Sequence, residues 1–404
     1  MHGVQTRNRI LVTCAKGIPP FLREEIRQLG LPVLLERVAG VETEGTIEDA
    51  MSLNLHLRTG QRVLFLLHTF PARTADELYA QLSGIAWEDI VAEDGYMCIT
   101  SSVSTPAIRD HRFANLKCKD AIVDRIRRAR GKRPDSGSDV TRTVLSLYWH
   151  DSLGKIYLDT SGEPLSRRGY RKIPMKAPMQ ETLAAAVILA TGWKGCGNVI
   201  NPMCGSGTLA IEAALIGLNR APGLLRSNFG FMHIRSFRPD VWNRLREKTQ
   251  RAAPGTVRGR IIATDWDPKA VDAARKNAQA AGVERLIEFG VCAYAATPVP
   301  SGGGIVILNP EYGERMGHAD ELEAVYRGIG DFFKQRCSGY TGYVFTGNLD
   351  LAKKLGLRTK RKVLFFNGEI ECRLLGYELY EGTVRQSKLA AQADAAPPPT
   401  EPTS

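Results

Sequence analysis

From residue 198 to residue 380 the sequence alternates short apolar runs with stretches suited to helices. The runs are Asn198–Asn201, Arg260–Asp265, Leu286–Val291, Ile305–Leu308, Tyr343–Thr346, Val363–Phe366 and Cys372–Tyr380. Parallel neighbours need long crossovers, and helices supply them. Such alternation predicts a doubly wound α/β domain around a mostly parallel sheet. Asn367-Gly368 joins the last two runs and suits the tight turn of an antiparallel hairpin. The expectation is a seven-stranded sheet with one antiparallel pair at its edge.

In open sheets of this type a ligand lies beyond the carboxyl ends of the strands, at the switch point. Two segments there carry chemistry. Asn201-Pro202-Met203-Cys204-Gly205-Ser206-Gly207-Thr208 follows the first strand and opens a helical run, Leu209 to Leu215. A glycine turn of this kind brings backbone N–H groups and a helix N-terminus close to a ligand. Asn309-Pro310-Glu311-Tyr312 follows the fourth strand. It has the form of the Asn-Pro-Pro-Tyr signature used to methylate exocyclic amines, with Glu311 in place of the second proline.

The pair points to a methyltransferase using S-adenosyl-L-methionine. Asp265 ends the second strand, where a fixed carboxylate can accept both ribose hydroxyls. Trp266 is placed to lie against an adenine ring. Asn201, Cys204, Gly205, Gly207, Thr208, Asp265, Trp266 and Asn309 form the candidate cofactor set. NAD fits less well, because the Asn-Pro-x-Tyr element has no use there. ATP fits less well, because no Gly-Lys-Ser/Thr follows the glycines. The third strand exits through Phe289-Gly290-Val291-Cys292-Ala293, without the acid that often holds the adenine amine.

An exocyclic amine is a poor nucleophile because its lone pair is delocalised into the ring. Two acceptors gripping its hydrogens localise that pair. Asn309 Oδ1 and the Pro310 carbonyl are the candidates, and Tyr312 is the candidate stacking partner for the base. Catalysis then rests on alignment and electrostatics. Glu311 either points to solvent or sits near the amine. The target base must be unpaired or leave its helix.

The first 60 residues read β-α-β-α: Ile10–Cys14, Pro19–Leu29, Val33–Val41 (one strand region) and Ile47–Leu57. From 61 to 160 the pattern is Arg62–Phe70 strand, Thr74–Ile85 helix, Tyr96–Val103 strand and Leu116–Arg130 helix. A hairpin then pairs Val144–Trp149 with Lys155–Asp159. Both regions are α+β. Leu165 to Pro178 is basic, contains two prolines and reads as a linker or surface strap.

The formal charge of +11 suits a polyanionic partner. Arg125, Arg127, Arg128, Arg130, Lys132 and Arg133 place six basic residues in nine positions. With Arg168 and Arg171 of the linker they are the candidate RNA contacts. A solvated helix end with favourable C-terminal charge is the competing reading. None of the eight cysteines forms a C-x-x-C pair, so a metal or redox motif is not expected. The thiols read as those of a cytoplasmic protein. No apolar run is long enough to span a membrane. The oligomeric state is not readable.

Taken together, these motifs resemble the RlmL-type 23S rRNA guanine-N2 methyltransferases among the THUMP-containing RNA methyltransferases. The similarity runs from about Ile10 to Gly382. It rests on the Leu116–Asp124 and Leu158–Glu163 segments, Arg168-Gly169-Tyr170-Arg171, Glu181–Ala186, the glycine turn, Arg220–Gly223 and Asn309–Arg315. The resemblance implies a ferredoxin-like subdomain (1–60), a THUMP domain (61–164) and a Rossmann-like class I methyltransferase domain (179–385); composition marks 165–178 as a basic linker and 386–404, rich in Ala, Pro and Thr, as a disordered tail. It implies cofactor roles for Cys204, Gly205, Gly207, Thr208 and Asp265, and catalytic roles for Asn309, Pro310 and Tyr312. Asn201, Glu311 and Ala293 depart from the family pattern. The implied activity is guanine-N2 methylation in 23S rRNA or a ribosome assembly intermediate. The alternatives are guanine-N2 methylation of tRNA, adenine-N6 methylation of DNA, and an RNA-binding assembly factor with a degenerate pocket.

Overall fold

The computed structural model describes residues 6–93, 95–106, 108, 110–175, 179–252, 256–312 and 319–380. The tail from residue 386 and the end of the Asn309–Arg315 segment lie outside the described residues.

The N-terminal half is built on one eight-stranded sheet. Its strands are β1 (Asn8–Thr13), β2 (Val33–Arg37), β3 (Gly40–Gly45), β4 (Arg62–Pro71), β5 (Tyr96–Ser104), β6 (Asp135–Gly137), β7 (Thr143–His150) and β8 (Leu153–Asp159). They lie in the order β2-β3-β1-β4-β8-β7-β5-β6. The helices are α1 (Pro19–Gln28), α2 (Ile47–His56), α3 (Ala75–Ser83) and α4 (His111–Arg130). β1 pairs antiparallel with β4, so the sheet runs unbroken through residue 60. The Val33–Val41 region is two paired strands rather than one. The chain reverses at Val38-Ala39, and Gly40 then lies so close to β1 that a Cβ there would be 2.7 Å from the Val12 carbonyl oxygen.

Capping explains where α2 and α4 start. Thr46 and Asp49 form a reciprocal capping box at α2. Asp110 accepts the Arg112 N–H at 2.8 Å and starts α4 five residues before the sequence pattern does. Gly131, at φ 74°, ends α4 in the left-handed conformation.

The C-terminal half comprises α5 (Glu181–Thr191), β9 (Asn198–Pro202), α6 (Thr208–Gly217), α7 (Pro239–Arg251), β10 (Ile261–Asp265), α8 (Pro268–Ala280), β11 (Ile287–Val291), β12 (Gly304–Leu308), α9 (Ala319–Arg336), β13 (Tyr340–Thr346), α10 (Leu349–Lys353), β14 (Arg361–Asn367) and β15 (Ile370–Glu378). The strand order is β11-β10-β9-β12-β13-β15-β14. The first five are parallel, and β15 is antiparallel to both neighbours. This is the sheet the alternation predicts, with the hairpin turn one residue later, at Gly368-Glu369, because Asn367 still pairs with Ile370. The chain leaves β9 for one side and returns as β12 on the other, which creates the switch point between them.

Residues 221–234 lock the two halves together. The Arg226 guanidinium donates to the carbonyls of Ser161 (3.1 Å), Glu163 (3.1 and 3.2 Å), Pro164 (2.9 Å) and Asn228 (3.3 Å). It also lies 4.7 Å from the Phe229 ring centroid. Burial lowers its proton affinity from 12.5 to about 10. Phe231 N–H donates to the Thr160 carbonyl at 3.1 Å.

The 165–178 segment is not a surface strap. Leu165, Ser166, Arg168 and Tyr170 are buried, and the described part, residues 165–175, is packed between the halves; residues 176–178 lie outside the described residues. Its two internal charges find partners inside the protein, which composition alone does not show.

Candidate active site

The two chemical turns are neighbours. β9 pairs parallel with β12 through Asn198↔Gly304, Val199↔Ile305 and Ile200↔Val306. The glycine turn and the Asn309–Tyr312 turn therefore leave adjacent strands at the same edge of the sheet. Asn201 ties the strands together: its Nδ2 donates to the Ile307 carbonyl at 2.9 Å.

The glycines do different work. Gly205 has φ 53°, and a Cβ there would meet nothing within 4 Å. That is open space over a left-handed backbone. Gly207, at φ 81°, permits close helix packing instead: a Cβ there would lie 2.9 Å from the Ala274 Cβ of α8. Met203 is also left-handed, at φ 56°, a conformation that costs a non-glycine residue about 1–3 kcal/mol.

Asp265 is nearly buried, and its Oδ2 accepts the Gly205 N–H at 2.9 Å. Its Oδ1 accepts the Asp267 N–H at 3.1 Å. Each oxygen keeps acceptor capacity for a hydroxyl. Trp266 is 75% exposed beside it, a large aromatic surface with no packing role. Cys292 N–H bonds the Asp265 carbonyl at 3.0 Å, so the loop carrying Ala293 is held to this strand end. Burial pushes the Cys204 thiol far up, so it is neutral. Thr208 begins α6, but its hydroxyl turns toward the 165–178 segment, where it accepts from Arg171 at 3.3 Å.

Two buried acceptors at the two turns have no hydrogen-bond partner among the described residues. They are Asn201 Oδ1 and Asn309 Oδ1. Buried polar atoms are nearly always paired, so unpaired ones at a strand edge fit a polar ligand. These atoms, the open space over Gly205 and the exposed Trp266 together suit a nucleoside-bearing cofactor.

Pro310 is buried and Glu311 is exposed. Glu311 has no hydrogen bond or ion pair among the described residues. Tyr312 is half-buried and fixed. Its hydroxyl accepts from Asn367 Nδ2 at 2.9 Å, and its ring meets Phe345 edge-on at 6.3 Å. Only a partly exposed ring remains for stacking.

The basic candidates separate into two groups. Arg125 makes a bidentate pair with Glu88 at 3.1 and 2.6 Å. Arg130 donates to the carbonyls of Ala92 and Val91 at 3.1 and 2.8 Å and to that of Glu88. Both staple α4 to the turn at Trp87–Asp89. Arg127, Arg128, Lys132 and Arg133 are exposed. The assignment of Arg168 and Arg171 to an RNA face is corrected. Arg168 is 1% exposed, lies 3.1 Å from Glu212 Oε1 and donates to the Arg58 carbonyl at 2.6 Å. Arg171 pairs with Glu181 at 3.3 Å and donates to the Met179 carbonyl at 2.6 Å.

The sequence reading missed Glu212, Tyr170 and Asn277. Tyr170 donates to Glu212 Oε1 at 2.9 Å. Asn277 is 1% exposed and contacts the glycine turn. The available signal was a polar residue on an alanine-rich buried face of α8, spaced with Ala270, Ala273 and Ala274. Among the described residues no group of histidine, cysteine or acidic side chains is arranged to hold a metal. No described helix is long and apolar enough to cross a membrane.

Three family descriptions match the chain. Residues 168–375 match the RMKL-like methyltransferase domain, residues 9–64 the RlmL ferredoxin-like domain and residues 72–142 the THUMP domain. A Syntrophotalea carbinolica protein named ribosomal RNA large subunit methyltransferase K/L is 37% identical over 399 residues, covering 96% of this chain and 55% of that protein. The chain thus spans about half the length of the curated relatives it matches. SMU.472, described as a methyltransferase and solved in complex with SAH, superposes with a TM-score of 0.84 at 27% identity, covering 94% of this chain and 100% of that one. A possible methylase from Clostridium difficile 630 gives 0.83 at 28% identity, covering 94% and 100%.

Proposed function

The chain belongs to the RMKL-like methyltransferase family, and we propose that it transfers a methyl group from S-adenosyl-L-methionine to the exocyclic N2 amine of a guanine in 23S rRNA. The observation that carries this reading is the buried Asn309 Oδ1, without a partner among the described residues, at the strand end next to the glycine turn. The name of the Syntrophotalea relative supports ribosomal RNA as substrate. The match to the THUMP domain at residues 72–142 and the exposed basic end of α4 support RNA as the partner. A cytoplasmic location accords with that substrate.

The cofactor residues would be Gly205, whose backbone lies under open space, Asp265 for the ribose, Trp266 for the adenine and Asn201 for a polar group at the β9 end. When bound, S-adenosylmethionine supplies an electrophilic methyl group. The chain supplies alignment. Asn309 Oδ1 and the Pro310 carbonyl accept the two amine hydrogens and turn the nitrogen lone pair toward the methyl. Pro310 has no N–H to compete for the base and its fixed φ stiffens the turn. Tyr312, held by Asn367 and Phe345, offers its ring to the flipped base. The nitrogen gains a methyl and loses one proton, which leaves through the solvent-exposed side marked by Glu311.

The test is nucleoside mass spectrometry of large-subunit rRNA from cells lacking the gene. One N2-methylguanine should disappear and return on complementation. An unchanged N2-methylguanine content overturns the reading.

A further inference from the structure

We propose that Asn277 is a positioning residue for the cofactor turn, clamping the turn to the 168–173 segment. The proposal rests on the reading of residues 203–208 as the cofactor cradle. Asn277 lies on the buried face of α8, behind the turn. Its Oδ1 accepts the backbone N–H groups of Lys172 (2.8 Å) and Ile173 (3.1 Å). Its Nδ2 donates to the Ile173 carbonyl (3.1 Å) and to the Ser206 carbonyl (3.1 Å). All the hydrogen-bonding capacity of this side chain is thus spent on joining two backbone segments.

A second tie runs in parallel. Arg171 donates to Thr208 Oγ1 at 3.3 Å while paired with Glu181. The turn is therefore held from behind at Ser206 by Asn277 and at Thr208 by Arg171. Its open side, over Gly205, is left for the ligand. The same segment reaches the N-terminal half, because Arg168 donates to the Arg58 carbonyl. The backbone that holds the cofactor turn is thus continuous with the backbone that holds the N-terminal half. A left-handed turn with φ positive at Met203, Gly205 and Gly207 has little ladder bonding of its own. Outside support is what fixes its carbonyls and N–H groups for binding.

Asn277→Asp removes the donor half of the clamp. The carboxylate keeps the acceptor that Lys172 and Ile173 use. It places an oxygen, in place of the Nδ2 donor, against the Ser206 and Ile173 carbonyls. Titration calorimetry with S-adenosylmethionine on the full chain reads the effect. Near pH 8 the variant should bind about tenfold more weakly than the unmodified chain. KM for the cofactor should rise while kcat at saturation changes little. Affinity should recover as the pH is lowered, because the protonated carboxyl again donates. Asn277→Ala should bind weakly at every pH. If Asn277→Asp does not fold at pH 8, Asn277→Ala, which adds no charge, is the variant read, with an expected loss of about tenfold. Affinity unchanged in Asn277→Asp, or unchanged in Asn277→Ala where that variant is the one read, overturns the proposal while leaving the cofactor reading intact. No binding by the unmodified chain overturns both.

Discussion

Arg168 and Glu212 form an ion pair 3.1 Å long with side chains 1% and 0% exposed, at the seam between the two halves. Tyr170 donates to the same Glu212 oxygen. A buried charge stripped of its partner is strongly destabilising. Arg168→Met should therefore lower unfolding free energy by about 3–5 kcal/mol, read by urea denaturation. RNA affinity of the folded fraction should keep its salt dependence. A stable variant with a shallower salt slope would instead place Arg168 at the RNA.

Arg226 is the second fastener of the seam. Its planar fork serves the carbonyls of four residues at once. A lysine ammonium is a point charge on a flexible stem and cannot match that geometry. Arg226→Lys should cost about 2–3 kcal/mol and shift the urea midpoint downward. An unchanged midpoint would show that charge alone suffices there.

The exposed basic residues at the end of α4 predict a different outcome. Arg128→Ala with Arg133→Ala should weaken RNA binding and lower the salt slope by roughly 0.7 for each lost contact to a single strand. Folding stability should hardly change. Arg125→Ala should do the reverse, because Arg125 makes a part-buried bidentate pair with Glu88 that ties α4 to the turn at Trp87–Asp89. Equal salt slopes before and after the double change would remove this surface from the RNA interface.

His56 gives the stability a pH dependence. It bridges α2 to α7, with Nδ1 2.8 Å from the Ser52 carbonyl and Nε2 3.1 Å from Thr249 Oγ1. Burial lowers its proton affinity below the ordinary value of 6.5. The unfolded chain then binds the proton more readily than the folded one. The His56 contribution is present above pH 6.5 and is lost as pH falls through the folded value. The urea midpoint should fall between pH 7.5 and pH 5.5, and by less in His56→Gln. Equal falls in both proteins would contradict the assignment.

The sheet that carries the site was legible because local signals set it. Apolar runs, glycine turns and the hairpin signal at Asn367-Gly368 act within a few residues. The neighbouring position of Asn309 and the glycine turn followed from the same pattern. Arg168 shows where reading from composition fails. Its partner Glu212 lies 44 residues away, and nothing near Arg168 in the chain says that its charge is matched inside. Arg125 and Arg130 likewise find partners 37 to 42 residues away, which nothing beside them in the chain announces. The β2–β3 reversal was hidden because Val38 and Ala39 carry no turn signal. Asn277 was hidden because its four bonds go to backbone groups, which every sequence has.

The central claim is that Asn309 grips the amine while the glycine turn and Asp265 hold the cofactor. The direct measurement pairs calorimetric binding of S-adenosylmethionine with labelled methyl transfer to substrate RNA, in the unmodified chain and in Asn309→Ala. Losing one acceptor in a preorganised site should reduce transfer by about 100-fold or more, with cofactor affinity within about twofold. Parallel loss of binding and transfer would contradict the division of labour between the two turns.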